Sequence, residues 1–452
     1  MPDGDAGPDP RALLRSSAYV KLLVIAAVIG VPVSAVAYGF LYLVDWLQRQ
    51  VFTALPSTLG FDHPPVWWPA PLLVVAGLAT AAAIRFLPGT GGHSPADGLK
   101  TGGALPVAEL PGVVLAAMAT LTFGVVLGPE APLIAIGSGL GVLAVQLATR
   151  GGADDRTRAV VAAAGSFAAI ASLLGSPLLG AFLLLEAAGL GGAMVPIVLL
   201  PGLLAAGIGS LIFLGLDSLT GLGTLSLAVP GLPPIGAPTV AEFGWAIVIG
   251  LLAPLLGLAI RRIAFAVRPY AERRMLTVMP VIGLAIAGLA IAFGEVTDKA
   301  SSEVLFSGQS ALPDLLVNEA TWSAGTLVVL LAAKGIAYGL SLSAFRGGPV
   351  FPSMFLGAAG GIALSHLPGL DAIPAAAMGI GAMSAVMLTL PLTSVLLATV
   401  LLGADGVKAM PLVIVAVAVA YVLDARLRPA PEPVHPQRVM THGEGTRERS
   451  PV

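Results

Sequence analysis

The sequence predicts an all-α membrane protein, a polytopic helical bundle made of two repeats with inverted topology. Three observations carry that prediction. The 452-residue chain is 56% hydrophobic and 11% charged, with a mean hydropathy of +0.93, far more apolar than a soluble domain. Apolar runs follow one another from about Leu22 to Val422, each long enough for a whole or partial crossing of a bilayer that takes about 20 helical residues. One glycine–proline pattern occurs twice, 220 residues apart, as GPEAPLIAIGSGLG from Gly128 and GPVFPSMFLGAAGG from Gly348. The short alternating segments of a transmembrane barrel are absent.

The elements follow in chain order. Residues 1–17 carry charges and prolines without a cleavable signal pattern and are expected to form a cytoplasmic tail. Residues 18–216 form the first membrane repeat, residues 217–239 a polar inter-repeat loop rich in glycine and proline, and residues 240–424 the second repeat. Residues 425–452, rich in proline and charge, are expected to be a disordered cytoplasmic tail. Basic residues before the first span (Arg11, Arg15, Lys21), from Arg261 to Arg274, and after the last span (Arg426, Arg428) mark the cytoplasmic face. Both termini are therefore expected inside and the inter-repeat loop outside.

Composition removes several classes of function. There is no cysteine, hence no thiol chemistry, and the five histidines are not paired at helical spacing, so neither a metal nor another cofactor is expected. A net charge of −2 suggests no nucleic-acid partner. Paired aspartates, H-E-x-x-H and a serine/histidine dyad are missing from the spans, so the chain does not read as an enzyme.

Both halves contain G-P-x-x-P-x-x-x-x-G-x-x-x-G, and the stretches that follow, SPLLGAFLLLEA from Ser176 and LPLTSVLLATVL from Leu390, also correspond. If the first half starts inside and ends outside, the second is inverted, an architecture of membrane transporters that places the substrate site where the halves meet. Each motif is expected to begin a helix partway through the membrane, since proline is tolerated where a helix starts. First-turn amides without intrahelical partners, together with the positive end of the helix dipole, make such a start an anion site. Irregular backbone at that depth must line a cavity or be buried in protein.

Glu130 is the only charged residue from Pro111 to Ala148. A capping glutamate contributes about 0.3 to 1 kcal/mol, whereas an acid at the bilayer centre costs about 3 kcal/mol. Capping alone is a poor reason to keep it. A carboxylate at a helix start can instead occupy the anion site itself, leave on protonation and admit a soluble anion, acting as gate and proton carrier.

In these motifs the chain resembles the CLC family of chloride channels and chloride/proton antiporters. The resemblance covers nearly the whole membrane region in order: GTGGHSPADG from Gly89, GPEAP from Gly128, SPLLGAFLLLE from Ser176 and FRGGPVFPSMFLG from Phe345. It implies a CLC-like bundle with broken half-membrane helices, chloride or another small anion as substrate, possible proton coupling, and a homodimer with an anion pathway in each subunit. By the same resemblance Glu130 takes the gate position. Gly128 and Ala131, which flank it, are anion-binding candidates, and Gly348, Val350 and Phe351 are candidate main-chain donors of the second filter.

The departures are equally specific. Where the family has a filter serine, counting back from Pro95 points to Gly92 and matching the glycines points to Thr90, while His93 and Ser94 are further polar candidates. Pro349 stands where the family offers a backbone N–H and has none. The family's inner proton-relay position falls on Ala187, with Glu186 one residue earlier, about 100° around the helix. Glu186, the only charged residue from Ala159 to Leu216, is either a displaced relay or a structural acid. Lys334 and Arg346 are the remaining charged candidates on the second half's path.

A carrier of an organic anion or a cation is the main rival, but a cation site recruits carboxylates or helix C-termini, not N-termini. The 18 arginines against 5 lysines and the abundant alanine suggest a GC-rich bacterial genome and a plasma-membrane location.

Overall fold

The computed structural model describes residues 15–99, 103–149, 152, 154–189, 194–220 and 227–428. Most of the two expected tails, and residues 221–226 of the inter-repeat loop, lie outside the described residues. The first half contributes α1 (Ser17–Thr58), α2 (Pro69–Phe86), α3 (Leu110–Thr122), α4 (Glu130–Thr149), α5 (Asp155–Leu174), α6 (Pro177–Ala187) and α7 (Met194–Thr220). The second contributes α8 (Val240–Arg273), α9 (Met275–Thr297), α10 (Ala324–Ala344), α11 (Val350–Ser365), α12 (Ala372–Leu388), α13 (Pro391–Leu401) and α14 (Gly406–Leu427). Among the described residues, 9 helices are long and apolar enough to cross a membrane, and α3, α6, α11, α12 and α13 are shorter apolar helices.

The order of packing repeats between the halves. α4 lies on α5 as α11 lies on α12, α5 on α7 as α12 on α14, and α1 on α7 as α8 on α14. Across the halves, α2 packs on α9 and α6 on α13. The repeated glycines explain how the helices approach so closely. A side chain at Gly137 would strike the main chain of Gly165, and one at Gly357 would strike that of Gly379. Each pair therefore brings two backbones together at equivalent places in the two repeats.

Helix lengths are not matched throughout between the two repeats. α6 and α13, at 11 residues each, are the short interrupted helices, about 16 Å long. α11 has 16 residues, but α4 has 20 and is long enough to cross. What marks α4 is its start: Glu130, the first residue, has 0% exposure. Pro129 and Pro349 stand one position ahead of the helices, and their carbonyls accept the first helical bonds, from Leu133 N at 3.0 Å and Ser353 N at 3.4 Å.

Two arginines used above as markers of the cytoplasmic face are built into the protein. Arg261 donates to Asp424 and, at 2.9 Å, to the Val386 carbonyl, while Arg428 donates to Asp424 at 2.7 Å and to the same carbonyl at 2.9 Å. Asp424, 2% exposed, is thereby neutralised, and α8, α12 and α14 are tied at one end.

Candidate functional site

The two repeats meet through their motif glycines. Gly128 N donates to Gly348 O at 2.8 Å and Gly348 N to Gly128 O at 2.6 Å, an isolated antiparallel bridge. Equivalent residues exchanging equivalent bonds require a pseudo-two-fold axis between them, the symmetry that inverted repeats produce. The bridge also corrects the expectation that Gly128 and Gly348 offer free amides to an anion, because each amide already has the other's carbonyl. What these glycines supply is space. A Cβ on either would collide with the Glu130 carboxylate.

Five helix starts among the described residues have a side-chain cap of their own. Ser16, Asp154, Ser176, Thr239 and Ser323 each accept a main-chain N–H from the first turn of their own helix. α11 and α13 have no capping side chain of their own. Both are capped from the first repeat, and by the two acids that stand alone in its apolar stretches.

The two caps differ in how completely the carboxylate is used. Glu186 Oε1 accepts Leu392 N at 2.9 Å, and Oε2 accepts Thr393 N at 2.8 Å and the Thr393 hydroxyl at 2.6 Å. Glu130 Oε1 accepts Phe351 N at 2.8 Å, and the Val350 amide is also in reach of the carboxylate. Among the described residues, Glu130 Oε2 is buried with no hydrogen-bond partner. A buried carboxylate oxygen left unpaired costs about 1–3 kcal/mol, so Glu130 is held at the start of α11 by much less than Glu186 is at the start of α13.

The other candidates fall on the far side of the α4 start. Thr90, Gly92, His93, Ser94 and Ala131 line one cavity of about 340 Å³ together with Arg346, and Glu130 is not among its lining residues. The loop that presents them is shaped by positive φ at Gly89, Thr90, Gly91 and Gly92. Arg268 clasps Asp97, just beyond this loop, at 2.6 Å, placing the cavity on the same face as the basic α8–α9 turn.

Three residues near the bridge are not assigned roles by the motifs. Tyr338, 0% exposed, donates its hydroxyl to the Pro349 carbonyl at 3.1 Å and braces the turn before α11. Ser341 Oγ accepts Val126 N at 3.2 Å, fixing the approach to Gly128. Lys334, also 0% exposed, donates to the carbonyls of Glu303 (2.8 Å), Val304 (3.3 Å), Leu305 (2.9 Å) and Phe306 (3.3 Å), with its Nζ 4.5 Å from the Phe355 ring centre. Phe306 N in turn donates to Gly124 O at 3.0 Å, tying this loop to the first repeat. A lone tyrosine, serine or lysine in an apolar helix was the only sequence signal for these roles.

Residues 85–425 match the family described as voltage gated chloride channel. YfeO of Escherichia coli strain SMS-3-5, provisionally named an ion-transport protein, is 29% identical over 375 residues, covering 80% of this chain and 82% of its own length. YfeO of Escherichia fergusonii is 29% identical with the same coverage. Among solved structures, a slow cyanobacterial Cl⁻/H⁺ antiporter aligns with a TM-score of 0.74 at 19% identity, over 91% of this chain and 95% of the other. A CLC-type fluoride/proton antiporter aligns with a TM-score of 0.65 at 18% identity, over 90% and 96%.

Proposed function

The chain belongs to the voltage gated chloride channel family, and from that premise we propose that it moves small inorganic anions, chloride by default, past the Gly128–Gly348 bridge under the control of Glu130. The observation that carries this reading is the half-satisfied carboxylate, with Oε1 on the Phe351 amide and Oε2 without a hydrogen-bond partner among the described residues. As an anion it occupies the donors at the start of α11. Protonation removes the charge that those donors and the helix dipole attract, the side chain swings away, and a soluble anion takes the vacated amides of Val350 and Phe351. The carboxyl then carries the proton it has gained.

Pro349 contributes no N–H to this turn, so the second filter offers its anion one donor fewer than an ordinary residue there would allow. Coupling to protons is weak or absent in this reading. Ala187 cannot titrate, and Glu186 is fully engaged as the cap of α13, which makes it a structural acid. The protein sits in the bacterial plasma membrane as a homodimer, with both termini cytoplasmic and the domain limits given above. The cavity lined by Thr90 and His93 is then the cytoplasmic approach. Fluoride, nitrate, bicarbonate and a small organic anion are the alternative cargoes.

The test is flux from liposomes loaded in turn with chloride, fluoride, nitrate and bicarbonate, with a pH dye recording accompanying protons. Flux of at least one inorganic anion is expected. No flux of any under any gradient contradicts the reading.

A further inference from the structure

Arg346 lies between Phe345 and the filter glycines, and nothing in the mechanism above uses it. Its guanidinium is pinned by carbonyls. Nε donates to Thr90 O at 3.3 Å, and Nη1 donates to Ala344 O at 3.4 Å and Phe345 O at 3.2 Å. Its own amide donates to Thr120 Oγ1 at 3.3 Å. Carbonyls orient a cation without neutralising it. Among the described residues, Nη2 has no such bond and no carboxylate comes within the 4.0 Å of an ion pair.

Arg268, Glu272 and Asp97 act on it only through longer-range electrostatics, without an ion pair. Those three are bound to one another, Arg268 to Asp97 and to Glu272 at 2.6 Å each. Glu109, also in the cavity wall, is packed against Gly89 and makes no ion pair with Arg346. Arg346 is thus a fixed, uncompensated positive charge in the wall of a cavity of about 340 Å³. That volume holds about ten waters, enough for an inorganic anion that keeps much of its hydration.

We propose that Arg346 is an anion ligand in this cavity, holding a hydrated inorganic anion through Nη2 before it reaches the Gly128–Gly348 bridge. The site is separate from the Glu130 carboxylate and stays open when that carboxylate occupies the start of α11. The assignment rests on the anion-transport reading and names the residue that loads the pathway from the side of the α8–α9 turn. A guanidinium is weakly hydrated and always charged, so the site selects for negative charge over a wide pH range and discriminates little between halide and nitrate.

The experiment is calorimetric titration of the full-length protein in detergent with sodium chloride and sodium nitrate, at alkaline pH where Glu130 stays on the Phe351 amide. Wild type is compared with R346Q, R346K and Ala135→Asp. The last variant adds a carboxylate to the cavity wall while leaving every Arg346 hydrogen bond in place. R346Q and Ala135→Asp are each expected to weaken binding of both anions roughly ten-fold, with R346K retaining most of it. If R346Q does not fold, Ala135→Asp decides. Unchanged affinity in Ala135→Asp overturns the assignment, as does equal loss in R346K and R346Q with none in Ala135→Asp, the pattern of a purely structural clamp. Should wild type bind neither anion and also move none in liposomes, the transport reading fails with it. A wild type that moves anions but binds them independently of position 135 removes only the role of Arg346.

Discussion

Glu130 reaches across the repeat boundary to the main chain of Phe351, placing Oε1 at 2.8 Å from its nitrogen and leaving Oε2 buried without a partner among the described residues. The same repeat sends Glu186 to α13, where both oxygens are satisfied by Leu392 and Thr393. Two acids in the same kind of position, one saturated and one not, are the contrast on which the proposed gating role of Glu130 rests.

The first prediction concerns competition. Because carboxylate and anion use the same amides, Glu130→Gln should bind chloride several-fold more tightly than wild type at neutral pH, and wild-type affinity for the filter should weaken as pH rises. Titration calorimetry at several pH values checks this. Equal affinities with equal pH dependence would assign Glu130 to capping alone.

Gly348→Ala should reproduce the pH response of Glu130→Gln without touching the acid. The added Cβ would occupy the place of the Glu130 carboxylate, so the side chain must leave the Phe351 amide. Proton-dependent flux of the purified, folded variant is the readout, and wild-type pH dependence in that variant counts against the geometry.

Glu186→Gln keeps one acceptor oxygen for α13 and Glu186→Ala keeps none. Losing a helix cap costs about 0.5–2 kcal/mol, so stability should fall from wild type through Gln to Ala, with the anion-to-proton ratio unchanged. Thermal unfolding in detergent measures the first and paired flux the second. A changed ratio with unchanged stability would restore the relay role.

Lys334→Met should destabilise the protein by at least about 2 kcal/mol. It strips the donor from the carbonyls of Glu303, Val304, Leu305 and Phe306 and frees the loop that Phe306 ties to Gly124. A melting temperature within a degree of wild type would show that water replaces the ammonium.

Much of this was legible because the helix starts are written in glycine and proline, whose backbone properties do not depend on what surrounds them. The 220-residue repeat located Gly128, Gly348 and Glu130, and the single acids in apolar stretches located Glu186. Pairings across the repeat boundary were not legible. The mutual use of the Gly128 and Gly348 amides depends on the pseudo-two-fold axis, and the capping of α11 and α13 by the other repeat depends on tertiary approach. Neither leaves a local pattern. Lys334 was visible as a lone charge, but its partners, like the role of Tyr338, were hidden for the same reason, since those partners are main-chain carbonyls that any residue supplies. The length of α4 was not legible either, because a motif can mark where a helix begins but not where it stops.

The central claim is that an anionic Glu130 closes the path at the start of α11 and a neutral one opens it. Anion efflux from liposomes, recorded across a pH series for wild type and Glu130→Gln with a dye reporting protons, tests it most directly. Wild-type flux should rise as pH falls, while the Gln variant conducts anions at every pH with no proton movement of its own. Flux in the Gln variant that still rises with acidity, as steeply as in wild type, would contradict the account.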